Sequence, residues 1–211
     1  MSPDARPSSQ PSFWDERYTA NDALFGTGPN AFVASAAHRI PDGGDVLELG
    51  AGEARTLLWL AQTRGVHGTA VDFSAEALQA GRQRAAEAGL SLNTVAADVR
   101  DWRPAQQWDA TVVTFLQLMP DERAALYETI RACLRPGGVL IAEWFRPAHL
   151  SGDYDRIGPT TEARMVSVQE VRDAFAADDI LQCAPVDVTL SEGPMLRGGA
   201  AVVRCVVRRS A

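Results

Sequence analysis

The sequence predicts an α/β fold, a mostly parallel seven-stranded sheet with helices on both faces. Three observations carry that expectation. Between Asp45 and Phe145, short apolar runs alternate with segments of helical period, each bounded by glycine, proline or an acid. Such alternation builds parallel strands joined by helices. One apolar run leads directly into a Gly-x-Gly turn, Gly50 and Gly52, that opens a helix. Two apolar strands close the chain with no helical pattern between them. Only a hairpin can join them, so one must run antiparallel to the rest.

The elements follow in order. Residues 1–12 (MSPDARPSSQPS) carry little to bury and are expected to be a disordered tail, with residues 13–211 forming one domain. Phe13–Ala20 suits a short helix, with Phe13, Trp14 and Tyr18 at turn spacing. Asn30–Ile40 reads as a helix stopped by Pro41-Asp42-Gly43-Gly44. Asp45–Leu49 is a strand, Glu53–Gln62 a helix and His67–Val71 a strand. Ser74 suits the N-cap of an alanine-rich helix over Ala75–Ala88, ended by Gly89. Ser91–Ala96 and Trp108–Thr114 are strands, and Pro120 opens a helix that carries Leu126, Ile130 and Cys133. After the Pro136-Gly137-Gly138 turn come a strand over Val139–Phe145, a helix over Gln169–Ala177, and strands near Ile180–Leu190 and Gly198–Arg208.

Composition excludes whole classes of chemistry. The 211 residues carry a net charge of −7, and all 20 basic residues other than histidine are Arg. Without lysine there is no Schiff-base amine and no P-loop lysine. An acidic chain with scattered Arg has no basic face for nucleic acid. No apolar run reaches the roughly 18–20 residues that span a bilayer, and the Pro/Ser-rich start lacks the apolar core of a secretory signal. Cys133, Cys183 and Cys205 are expected to be buried reduced thiols of a cytoplasmic protein. His38, His67 and His149 have no metal-ligand spacing, so no metal site is expected.

The chemistry concentrates at strand ends. Val46-Leu47-Glu48-Leu49-Gly50-Ala51-Gly52 is a buried strand entering a turn where the backbone must approach a ligand without a Cβ in the way. Asp72 ends the second strand, where a carboxylate can accept from ribose hydroxyls, and Asp98 ends the third. Three groups at the carboxyl ends of adjacent parallel strands mark the ligand edge of an open sheet. A dinucleotide fingerprint needs a third glycine at position 55, where Arg55 stands, which counts against NAD.

In these residues the chain resembles the class I S-adenosylmethionine (SAM)-dependent methyltransferases, whose Rossmann-like fold opens on an acid followed by x-Gly-x-Gly-x-Gly. Glu48, Gly50, Gly52 and Ala54 stand at those positions, with alanine replacing the last glycine. Leu134–Leu140 is similar to the family's turn before its fifth strand, and Trp108–Pro120 to its fourth-strand segment. The resemblance implies SAM as cofactor, Asp72 on its ribose, Asp98 on its adenine amino group, and Ala51, Phe73, Val99, Thr114 and Phe115 beside it. Outside the core, FWDERY…LFGTGPNAFV and Ser191-Glu192-Gly193 are similar to the subgroup of bacterial tellurite-resistance methyltransferases. That likeness implies an N-terminal segment folded over SAM, with Trp14, Arg17, Tyr18, Phe25 and Gly26 lining or closing the site and Arg17 meeting the SAM carboxylate. Leu196 stands about where the subgroup commonly has a histidine.

The expected activity is methyl transfer to a small-molecule acceptor: a thiol or chalcogen anion, or an oxygen or nitrogen nucleophile. A non-catalytic SAM-binding regulator, an aminopropyl transferase and a dehydrogenase are the competing readings. In-line methyl transfer needs positioning and water exclusion rather than a metal. Trp14, Tyr18, Phe115 and Trp144 are candidates for cation–π contact with the sulfonium. Glu143, His149, Tyr154 and Glu192 are candidates for a general base. The irregular segment Arg146–Val166 is expected to cover the acceptor, with Arg146, Arg156 and Arg164 able to recognise an anion. A monomer or homodimer is expected.

Overall fold

The computed structural model describes residues 7–211. Seven strands form one sheet: β1 (Asp45–Leu49), β2 (His67–Asp72), β3 (Leu92–Ala96), β4 (Trp108–Thr114), β5 (Leu134–Phe145), β6 (Asp179–Ser191) and β7 (Arg197–Arg208). Their order is β3-β2-β1-β4-β5-β7-β6. The first five run parallel, while β7 lies antiparallel between β5 and β6. The helices are α1 (Pro11–Ala20), α2 (Ala31–Ala36), α3 (Arg55–Arg64), α4 (Ala75–Glu87), α5 (Pro120–Cys133), α6 (Ala148–Ser151) and α7 (Val168–Ala174). This is the Rossmann-like seven-stranded architecture that the alternation predicts. Among the described residues no helix is long and apolar enough to cross a membrane.

Two apolar layers flank the sheet, each built on side chains that alternate across the strands. One packs Leu47, Val113, Leu140 and Cys205 against Leu126 and Ile130 of α5 and Phe175 beyond α7. The other packs Val46, Val112 and Ile141 against Val33 of α2 and Leu57 and Leu60 of α3. The strand order reverses between the parallel neighbours β1 and β4, and the ligand crevice of an open sheet lies at the carboxyl ends of such a pair.

Several boundaries move for local reasons. Helix α3 starts at Arg55 rather than Glu53, because Ala54 sits in the left-handed region at φ 54° and cannot be helical. Strand β5 begins at Leu134, its register on β4 shifting between Trp108 and Ala110 to absorb the proline–glycine turn. Ser74 caps α4 as its sequence predicts, its side chain accepting from the Ala77 amide.

Residues 7–12 differ from the expected disordered tail, and residues 1–6 of that tail lie outside the described residues. Pro7–Ser9 form a 3-10 turn, and α1 starts at Pro11, a residue pre-set for the first helical turn. Side chains from elsewhere hold this strap. Trp14 Nε1 donates to the Ser8 carbonyl (3.0 Å), Arg100 Nη2 to the Ser9 carbonyl (3.2 Å) and Arg164 Nη2 to Ser9 Oγ (2.6 Å). Composition misses such a segment because partners far along the chain supply its order.

Candidate active site

The glycine turn after β1 is built by backbone bonds and closed by side chains. The Gly50 and Ala51 amides donate to the Val71 carbonyl (2.9 and 3.1 Å), and the Gly52 amide donates to Asp72 Oδ2 (2.8 Å). Asp72 Oδ1 accepts the Ser74 amide (2.8 Å), so one carboxylate ties the turn to the start of α4. Gly50 and Gly52 have φ of 68° and 52°. A Cβ on Gly52 would stand 2.6 Å from Tyr18 Oη, and one on Gly50 would stand 3.0 Å from Leu116 Cδ1. Glycine is therefore required twice, for the turn and for the close approach of α1 and of the loop after β4.

Helix α1 lies over this turn although it buries none of its own residues fully. Polar contacts hold it: the Ser74 hydroxyl donates to Asp15 Oδ1 (2.6 Å), while Arg84 bridges Asp22, just beyond α1, and Glu53 at 2.8 and 2.7 Å.

Between α1 and the strand ends lies a cavity of about 480 Å³. Of the residues expected at the cofactor, Trp14, Tyr18, Glu48, Gly50, Ala51, Gly52, Asp72, Phe73, Asp98, Val99, Thr114 and Phe115 line it. Phe25 lines it too.

Two expected residues do not. Arg17 faces away, its guanidinium 3.3 Å from the Phe13 ring centre and its Nη1 donating to the Phe13 carbonyl (2.8 Å). On a helix, residues four apart share a face, and here that partner takes the charge. Gly26 instead packs on the β6–β7 turn, where a Cβ on Gly193 would fall 2.2 Å from the Gly26 nitrogen.

The base candidates also lie off the cavity wall. Glu143 is fully buried, accepting from Arg204 Nε and Asn30 Nδ2 (both 2.6 Å). Glu192 pairs with Arg55 and accepts from Asn30 Nδ2 (3.1 Å). His149 is buried with both ring nitrogens on backbone, Nε2 at the Ile157 carbonyl (2.8 Å) and Nδ1 accepting the Ala201 amide (3.3 Å). Tyr154 donates to Asp187 (2.7 Å). Trp144, expected near the sulfonium, is core, edge-on to Tyr127 at 6.3 Å.

Sequence reasoning misses further parts of the wall, among them Arg55, Arg100 with Glu122, and Met195 of the β6–β7 turn, whose neighbour Leu196 it does single out. Arg55 was legible only as the residue that breaks the dinucleotide fingerprint, inside a helix expected to start at Glu53; the others come together only in space. Of the segment expected to cover the acceptor, Gly158, Pro159, Thr160 and Arg164 reach the cavity. Arg146 instead pairs with Asp187 at the surface, and Arg156 is exposed and off the wall.

The wall is electrostatically divided. Burial pushes Glu48 up to about 8, against the pull of Arg55, and its Oε2 has no hydrogen-bond partner among the described residues. Burial likewise raises Asp72, offset by its two amide bonds. Burial also raises Asp98, but hydrogen bonds and charge from Arg100 outweigh it, and its carboxyl falls below the usual range. Tyr18 is raised well above the usual phenol by burial and then by Asp72 and Glu53, so it stays protonated. Phe115, just past β4, sits at φ 55° with its amide donating to the Glu143 carbonyl (2.8 Å). A side chain in that region costs roughly 1–2 kcal/mol relative to right-handed backbone, strain of the kind that collects at functional sites.

A family model described as a methyltransferase domain matches residues 46–138, the stretch that holds the glycine turn and the aspartates at the carboxyl ends of β2 and β3. SAM fits the residues present: a glycine cradle where a Cβ would crowd Tyr18 and Leu116, an acid at each of three strand ends, and two buried carboxylate oxygens, Glu48 Oε2 and Glu53 Oε2, without a partner among the described residues. Among similar proteins is the 2-heptyl-1-hydroxyquinolin-4(1H)-one methyltransferase of Mycobacteroides abscessus, 33% identical over 141 residues that cover 65% of this chain and 61% of the relative. An uncharacterized protein of Mycobacterium bovis is 32% identical over 133 residues, 62% of this chain and 47% of its own length. The chain thus spans about half the length of that curated relative. TehB from Haemophilus influenzae has the same fold, with a TM-score of 0.71 at 16% identity over 94% of this chain and 66% of that one.

Proposed function

We propose that this chain transfers a methyl group from SAM to a small-molecule acceptor, as one globular domain. The observation that carries the reading is Glu48, whose buried Oε2 lacks a partner beside a glycine turn pinned by Asp72. An ammonium group at the amino-acid end of SAM supplies that partner. Arg55, beside the turn on the same wall, is the cation for the SAM carboxylate in place of Arg17. Each oxygen of Asp72 accepts one amide and keeps a second lone pair for a ribose hydroxyl. Asp98 and Val99 hold the adenine end, with Arg100 between Asp98 and Glu122. Tyr18, Trp14 and the rest of α1 close the site over the turn and exclude water.

A small acceptor is supported by the 480 Å³ cavity and by the likeness to a methyltransferase of a hydroxyquinolinone. The net charge of −7 argues against nucleic acid. Three free, buried cysteines suit a reducing, cytoplasmic setting.

The test has two arms. Calorimetry should detect SAM and S-adenosylhomocysteine binding, lost in Asp72→Ala. Labelled methyl from SAM should then appear in a product from metabolite mixtures. Binding without transfer across a broad acceptor panel would favour the non-catalytic regulator instead.

A further inference from the structure

We infer that the acceptor is a planar, apolar ring compound whose nucleophilic atom is already ionised near neutral pH, and that the protein removes no proton from it. This rests on the methyl-transfer reading above and names the substrate class of that site.

The cavity lining has two chemically different parts. The strand-end loops supply Glu48, Asp72 and Asp98. The other part is apolar and largely aromatic: Phe13, Trp14, Phe25, Phe115, Met195 and Leu196. Its rings support one another, Trp14 lying 5.3 Å from Phe13 and 6.1 Å from Phe25, centre to centre. Phe115 packs 5.3 Å from Phe145 and holds a left-handed backbone that glycine would adopt without strain. A phenylalanine kept there points to the ring itself as what the site requires. Flat apolar ligands stack on such faces.

None of these six apolar side chains accepts a proton, and the carboxylates of the lining have other partners: Glu53 pairs with Arg84 (2.7 Å), and Glu48 and Asp72 are assigned above to the amino-acid and ribose ends of SAM. Glu122 accepts from the Met119 amide (2.8 Å) and from Arg100 (3.1 Å), and Asp98 is shared between Arg100 and the adenine end of SAM. Glu143, Glu192 and His149 lie off the cavity. Tyr18 stays a phenol. Arg164 also lines the cavity, donating to Ser9 Oγ (2.6 Å) and the Gln117 carbonyl (3.2 Å), and as a guanidinium it takes no proton. When SAM is bound, the acceptor's lone pair forms the bond to the methyl carbon while the methyl–sulfur pair returns to sulfur, giving neutral S-adenosylhomocysteine. An anion meeting a sulfonium thus leaves two neutral products, and no proton moves.

The probes are a naphthol, which ionises above neutral pH, and its nitro derivative, which ionises below it, with 2-mercaptoethanol as a non-aromatic comparison. SAM binding is measured first; its failure would remove the methyl-transfer reading itself. With S-adenosylhomocysteine bound, the nitronaphthol should quench Trp14 fluorescence and keep its phenolate absorbance to lower pH than in water. With SAM, kcat/KM for each naphthol should break at that compound's own pKa, rising about tenfold per pH unit below it. Phe115→Leu and Phe115→Ala should weaken naphthol binding at least about tenfold, measured with S-adenosylhomocysteine at saturation. Two results would overturn the inference while leaving the methyl-transfer reading intact: naphthols that neither bind nor accept while the simple thiol does, or a break at one pH for both naphthols, the mark of an enzyme base.

Discussion

Arg55 and Glu192 form a buried ion pair that joins the start of α3 to the turn between β6 and β7. Their side chains are only 11% and 5% exposed, and they lie 137 residues apart in the chain. Arg55 also donates to the Gly28 carbonyl (2.6 Å), and Asn30 bridges Glu192 to Glu143. One charge on the cavity wall is thereby set by the far end of the sequence. Glu192→Ala leaves that guanidinium without its buried partner, and breaking such pairs costs about 3–5 kcal/mol. Denaturant unfolding should show the loss, and calorimetry a weaker SAM complex. Unchanged SAM affinity in a folded Glu192→Ala protein would show that the pair does not position Arg55.

Asp72 holds the glycine turn and the α4 cap with one carboxylate. Asp72→Asn keeps the shape but can no longer accept at both oxygens. SAM affinity should fall at least about tenfold, or roughly 1.4 kcal/mol, by calorimetry.

Glu48 makes the stability of the unliganded protein pH-dependent. Burial raises its carboxyl from 4.5 to about 8 in the folded state. Between those values the folded chain holds a proton that the unfolded chain has lost, so stability falls as pH rises through that window. Glu48→Gln should flatten the slope of melting temperature against pH from about 5 to 8. An unchanged slope would place the titration elsewhere.

The three arginines expected to read an anionic acceptor separate. Arg146→Ala and Arg156→Ala should leave methyl-transfer kinetics unchanged, since neither lines the cavity. Arg164→Ala should raise KM and destabilise the strap, because Arg164 holds Ser9 and the Gln117 carbonyl (3.2 Å). Proteolysis near the N-terminus and steady-state kinetics distinguish the two effects.

His149→Ala should cost stability without moving the pH–rate profile. It removes a ring whose two nitrogens meet the Ile157 carbonyl and the Ala201 amide, and stranding such buried groups costs about 1–3 kcal/mol. A shift of the profile would return His149 to the chemistry.

The sequence by itself determined the sheet, the glycine turn and the acids at three strand ends. Each is a local pattern: an apolar run, two glycines before a helix, an acid closing a strand. Backbone sterics and the two- and 3.6-residue periods act over a few residues, so such patterns are visible in the chain. Ser74 as a cap and the antiparallel hairpin are legible for the same reason. Only the tertiary structure decided which polar side chains face the cavity. Arg17 turns to Phe13 on its own helix, Glu143 and His149 are consumed by partners across the sheet, and Arg55 takes its orientation from Glu192. The strap at Pro7–Ser9 is ordered by Arg100 and Arg164, residues no local pattern connects to it. A charged side chain goes where its partner is, and partners brought together by folding leave no periodic trace in the sequence.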